Sequence, residues 1–99
     1  MDIKINDSNE VISVTISGDI EMMTIKEFKT KLLDIGKNRE KDIELDLSDV
    51  GYIDSSGIGV LIGLLNMQKK KGKMLRVTKV SPKVLNVLKL SSLTDTFNL

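Results

Sequence analysis

The sequence predicts an α/β fold, a single domain over residues 1–99 with a mixed four- to five-stranded sheet and helices mainly on one side. Three observations predict it. Short runs alternate apolar and polar residues, longer runs between them repeat apolar residues at three and four, and the helical runs open on serine or threonine. Their order is strand, strand, helix, strand, helix, strand, helix, which suits a sheet with crossover helices packed on it.

Ile3 and Ile5, then Ile12, Val14 and Ile16, alternate with polar residues on either side of Asn6-Asp7-Ser8-Asn9, so the chain should open with two antiparallel strands. Gly18 closes the second. Thr24 and Glu27 have the spacing of a capping box, and Met23 and Phe28 that of a hydrophobic staple, so a helix is expected from about Ile25. Its apolar positions are Ile25, Phe28, Leu32 and Ile35, and Gly36 stands where a left-handed C-terminal glycine belongs. Ile43, Leu45 and Leu47 mark the third strand. A helix from Gly57 to about Lys71 follows, then a strand at Leu75 and Val77. Ser81-Pro82 supplies a cap and a first-turn proline for a helix through Val84, Leu85, Val87 and Leu88. Phe97 and Leu99 are expected to add a short final edge.

Composition excludes several classes of function. At 99 residues the chain can bury roughly 60–70% of its unfolded surface and fold without staples. With 15 basic and 14 acidic residues its net charge is +1, too little to hold nucleic acid or an acidic membrane. The absence of cysteine and histidine removes thiol nucleophiles, thiolate metal sites and the commonest general base. No enzyme activity, metal or cofactor is expected. The N-terminus has no leader-like apolar run and no stretch approaches the ~18 apolar residues of a membrane span, so a cytoplasmic protein is expected. Three aromatic residues leave an aliphatic core and little to stack on bases.

The stretch from Asp46 to Val60, DLSDVGYIDSSGIGV, carries the most information. It ends a strand, turns, and starts a helix at Ser55, Ser56 and Gly57. First-turn peptide N–H groups lack intrahelical partners and the helix dipole is positive there, so an anionic group on such a serine is stabilised. A plain N-cap serine with a permissive glycine is the structural alternative.

Leu45-Asp46-Leu47-Ser48, Asp54-Ser55-Ser56-Gly57, Ile58-Gly59-Val60, Gly72-Lys73 and Val80-Ser81-Pro82 together resemble a STAS domain, and more narrowly the bacterial anti-sigma factor antagonists. The resemblance runs from about Ile12 to Phe97. It implies that Ser56, the second serine of the motif, is phosphorylated by a partner that is both serine kinase and anti-sigma factor. A separate serine phosphatase would restore the hydroxyl. It also implies that Asp54 is recognised by the kinase. In the family a carboxylate near the acceptor serine comes from the loop before the first helix, and here the matching residue is Glu21, on a longer arm. Ser92 stands where many relatives have glycine, and relatives often carry a further helix after the position of Phe97.

Two surfaces flank this motif. On the helix from Gly57, apolar residues Ile58, Val60, Leu61, Ile62, Leu64, Leu65 and Met67 cover roughly 220°, more than one sheet contact needs. The remaining side holds Gly59, Gly63, Asn66 and Lys70, where glycines four apart either allow close packing within the domain or form a docking strip beside Ser56. Asp19-Ile20-Glu21-Met22-Met23 is the second surface: methionines adapt to a partner, and Met22 is free of the staple role given to Met23. Asp46, Asp49 and Asp54 are better read as solvated, turn-forming or capping residues than as a metal site. Lys69, Lys70, Lys71 and Lys73 are better read as helix C-terminal cations than as a phosphate site, and no Walker pattern is present.

These readings converge on a regulator that binds through Glu21, Met22, Asp54, Ser55, Ser56, Gly57, Gly59 and Gly63 and is switched at Ser56. The rival reading keeps the fold as a STAS subunit of a transporter ATPase or a signalling scaffold, without obligatory phosphorylation.

Overall fold

Alternating isoleucines and valines form the expected hairpin in the computed structural model, which describes residues 1–97 and 99. Strand β1 (Asp2–Asp7) pairs antiparallel with β2 (Val11–Ser17), and Ser8 closes the turn by donating from its N and Oγ to Val11 O, at 3.0 and 2.7 Å. Helix α1 (Ile25–Asn38) then leads to β3 (Asp42–Asp49), α2 (Ser55–Lys70) to β4 (Leu75–Val80), and α3 (Pro82–Leu90) follows. The sheet order is β1-β2-β3-β4, with β2, β3 and β4 parallel. Both parallel crossovers step the same way along the sheet, which places α1 and α2 on one face.

Alternation decides what is buried. Ile12, Val14 and Ile16 of β2, Ile43, Leu45 and Leu47 of β3, and Leu75 and Val77 of β4 turn into one core. Phe28 and Leu32 of α1, Leu61 and Leu64 of α2, Val84 and Leu88 of α3, and Phe97 complete it. Each such side chain contributes about 1.5–3 kcal/mol on burial. Val11, Ser13, Thr15, Glu44 and Asp46 fall on the opposite face, where they are half-buried.

Several local expectations are corrected. Thr24 and Glu27 form no capping box: Thr24 is itself near-helical, at φ −114° and ψ −8°, and makes no side-chain cap bond. Its Oγ1 instead accepts from Glu21 N at 3.1 Å and donates to Asp19 O at 2.7 Å. The turn before the helix supplies Glu21 O to the Thr24 amide that Glu27 would have capped, and it holds the Thr24 hydroxyl that would have capped Glu27 N. Nor does the staple form, since Phe28 is fully buried while Met23 is 86% exposed.

Gly36 does not end α1. It lies inside the helix and is buried, because a Cβ there would stand 2.7 Å from Leu64 Cδ1 and 3.1 Å from Met67 Cε. Its role is close approach of α1 to α2, and Lys71 Nζ donates to its carbonyl and to Arg39 O. Lys71 therefore serves the C-terminal carbonyls of α1 rather than those of its own helix.

Helix α2 begins at Ser55, two residues before Gly57, since Asp54 takes the cap position. Beyond its end at Lys70 the chain turns on Gly72, at φ +69°, where Gly72 N and Lys73 N donate to Lys69 O and Gln68 O. This is the paired C-terminal pattern in which a left-handed residue turns the chain. Helix α3 ends the same way at Ser92, a non-glycine at φ +57°, with Ser92 N and Leu93 N bound to Lys89 O and Leu88 O. Phe97 forms no edge strand: it is buried within a turn, and Leu99 lies outside any strand.

Candidate functional site around Ser56

Two loops at the C-terminal ends of β2 and β3 build the region around the serine motif. They are tied by Ile20 N donating to Tyr52 O at 2.8 Å and Asp54 N donating to Ile20 O at 3.0 Å, which continues the parallel pairing as a single bridge between Ile20 and Ile53. Gly57 allows the same approach one step on. A Cβ at this position would lie 2.6 Å from Ile20 Cγ2 and 2.7 Å from Ile53 Cγ1. Gly57 is thus buried structure, whereas Ser55 and Ser56 beside it are exposed.

Asp54 caps α2 from an extended conformation, with its Oδ1 accepting from Gly57 N at 3.1 Å. The same oxygen accepts the hydroxyl proton of Ser56 at 2.5 Å. Those two bonds, the Ser56 hydroxyl first, hold the Asp54 carboxyl below its ordinary value. Ser56 Oγ is thus oriented by an ionised carboxylate while it faces solvent. No comparable side-chain bond fixes Ser55 among the described residues.

Glu21 does not reach Ser56. Its Oε1 accepts from Met23 N at 3.1 Å, closing its own turn. Met22, 82% exposed, stands on the same loop, and Tyr52, half exposed, stands on the neighbouring one. Asp46 is engaged with Ser48, which donates from N at 2.9 Å and Oγ at 2.6 Å and lowers the carboxyl.

Gly59 and Gly63 do not serve close packing. A Cβ at either would meet nothing within 4 Å. Helices α1 and α2 touch at Gly36, Leu64 and Met67 but leave a groove of about 350 Å³ lined by Ile25, Lys29, Leu33, Ser56, Gly59, Val60 and Gly63. The structure therefore brings Glu21, Met22, Asp54, Ser55 and Ser56 to one end of the fold, with Gly59 and Gly63 in the groove that leads from it.

Sequence reasoning did not single out Tyr52, Lys29 or Leu33. The signal for the last two was present: Ile25, Lys29 and Leu33 recur at four, a second stripe on α1 beside the core stripe. Tyr52 carried no periodic signal, because its exposure follows from how two loops pair.

The family model described as "Mlab, STAS domain" matches residues 3–99. The chain belongs to the STAS domain family. It is 30% identical over 95 residues to the anti-sigma-B factor antagonist of Bacillus subtilis, covering 96% of this chain and 84% of that one. The anti-sigma-B factor antagonist of Staphylococcus aureus is 24% identical, covering 96% and 88%. Among solved structures, a putative anti-sigma factor antagonist from Thermotoga maritima superposes with a TM-score of 0.83 at 26% identity, covering 94% of this STAS domain and 80% of that chain. Unphosphorylated SpoIIAA, an anti-sigma factor antagonist, superposes with a TM-score of 0.82 at 17% identity, covering 95% and 84%, a likeness of fold. The mixed sheet with its three helices is the fold these structures share.

Proposed function

We propose that this STAS domain is an anti-sigma factor antagonist that binds an anti-sigma factor with serine kinase activity while Ser56 bears a free hydroxyl. Phosphorylation of Ser56 releases it, and a serine phosphatase resets it, so that sigma-factor-dependent transcription is regulated by partner switching in the cytoplasm. The observation that carries this reading is Ser56 Oγ, exposed at the entrance of α2, oriented by Asp54, and opening onto a groove whose glycines present no side chains.

The chemistry is delegated. The kinase brings ATP and its metal ion; the Ser56 oxygen takes the γ-phosphoryl group and loses its proton, and ADP leaves as the bond to the γ-phosphorus breaks. The product can no longer donate to Asp54, and a charge of about −1.5 to −2 then faces that carboxylate. At an interface the same charge must be desolvated. A loss of ~3 kcal/mol in affinity is a change of more than 100-fold in dissociation constant.

The docking surface in this reading comprises Glu21, Met22, Asp54, Ser55 and Ser56, with Gly57 shaping the helix entrance and Gly59 and Gly63 the groove. Phosphopeptide mapping of the protein from its native cell, with identification of what copurifies, tests it. A phosphate on Ser56 and a copurifying kinase are expected. A transporter ATPase as the copurifying protein, with no phosphate, would overturn the reading in favour of a STAS subunit.

A further inference from the structure

The phosphate that the proposed function places on Ser56 would have a carboxylate on one flank and a groove on the other. Asp54 holds the hydroxyl at the loop side, and the groove's lining contains one cation, Lys29. We infer that Lys29 is the intramolecular partner of phosphorylated Ser56, its ammonium reaching across the groove between α1 and α2 and closing the groove's mouth. Phosphorylation then removes a docking surface as well as adding charge.

Several observations support this pairing, which rests on Ser56 being the acceptor serine. Lys29 is exposed and takes part in none of the ion pairs among the described residues, which use Arg39, Lys41 and Arg76. On the α2 side the path is open at Gly59, which lies one turn from Ser56 in the groove lining and where a Cβ would meet nothing within 4 Å. Lysine suits the role: its charge rides on a flexible stem with three donors. The Asp54 carboxylate, which holds the Ser56 hydroxyl, repels a phosphate toward the groove. Glu21 is turned to its own loop by the bond from Met23 N.

Phosphorus NMR titration of protein carrying phosphoserine installed at position 56 during translation tests the pair without needing the kinase. The second ionisation of a phosphoserine falls near a pKa of about 6. At low salt it should be lower in the otherwise native protein than in Lys29→Gln by about 0.5, the size expected of an exposed ion pair. Lys29→Arg should keep the low value, and about 1 M salt should close the gap. Lys31→Gln, on an exposed residue about 200° around α1 from Lys29, should leave the titration unchanged. Coincident curves for the native and Lys29→Gln proteins, or an equal displacement by Lys31→Gln, would overturn the pairing. Circular dichroism confirms that each variant is folded. Absence of phosphate on Ser56 in the native cell would overturn the proposed function and leave this titration standing; coincident curves would do the reverse.

Discussion

Ser56 Oγ and Gly57 N both donate to a single oxygen of Asp54, at 2.5 and 3.1 Å, so one carboxylate caps α2 and aims the hydroxyl. The cap and the candidate switch share an atom. Any change at Ser56 is therefore felt first at the start of α2.

Asp54→Ala should destabilise the fold by about 1 kcal/mol near neutral pH, the usual cost of losing a helix N-cap. The bonds from Ser56 and Gly57 hold the Asp54 carboxyl below the ordinary carboxylate range. A depressed carboxylate stabilises the fold fully above its unfolded pKa and loses that contribution as pH falls through the folded value. The stability gap between native protein and Asp54→Ala should accordingly be full at pH 6 and shrink below about pH 4. Urea unfolding at the two pH values checks this; a gap that holds constant to pH 2.5 would contradict the ionised cap.

Gly57 and Gly63 lie on one helix and should respond in opposite directions to alanine. At Gly57 the new Cβ collides with Ile20 and Ile53, and overpacking of this kind costs about 1–3 kcal/mol. At Gly63 the Cβ enters open space, so the better helix propensity of alanine should stabilise by about 0.5–1 kcal/mol. Gly63→Glu should stay folded yet weaken partner binding, as should Met22→Asp. Thermal denaturation and titration calorimetry on the same samples separate the two effects.

Ser92 ends α3 at φ +57°, a conformation that costs a residue with a Cβ about 1–2 kcal/mol. Ser92→Gly should relieve part of this and raise stability by about 0.5–1 kcal/mol, with no effect on phosphorylation at Ser56. A lowered melting temperature would show that the serine makes a contribution beyond the turn.

Phosphate on Ser56 should act locally. It loses the bond to Asp54 but gains the N-terminal field of α2, so the net change in stability should stay within about 1–2 kcal/mol. Amide exchange at Val14 and Leu45, deep in the sheet, should be the same in both forms. Widespread change there would favour an allosteric or unfolding mechanism.

What the sequence disclosed follows from the range of the forces involved. Strands β1 to β4 and the core positions Ile12, Val14, Ile16, Ile43, Leu45 and Leu47 were legible because alternation and burial are local patterns. So was the α3 cap, where Ser81 Oγ accepts from Val84 N. The failures at Thr24, Met23 and Gly36 share a cause. Each had the right local spacing, but the adjoining turn took the amide and hydroxyl of Thr24, Met23 stays exposed, and Gly36 was claimed by Leu64 and Met67 of another helix. Long-range contacts also explain why Gly59 and Gly63 could be read two ways until α1 was seen to leave them uncovered.

The dissociation constant of the copurifying anti-sigma factor, measured by calorimetry for the unmodified protein and for protein quantitatively phosphorylated on Ser56, tests the central claim most directly. The switch predicts tight binding of the free hydroxyl form and a loss of more than 100-fold on phosphorylation, with both forms folded. Equal affinity of the two forms would contradict it.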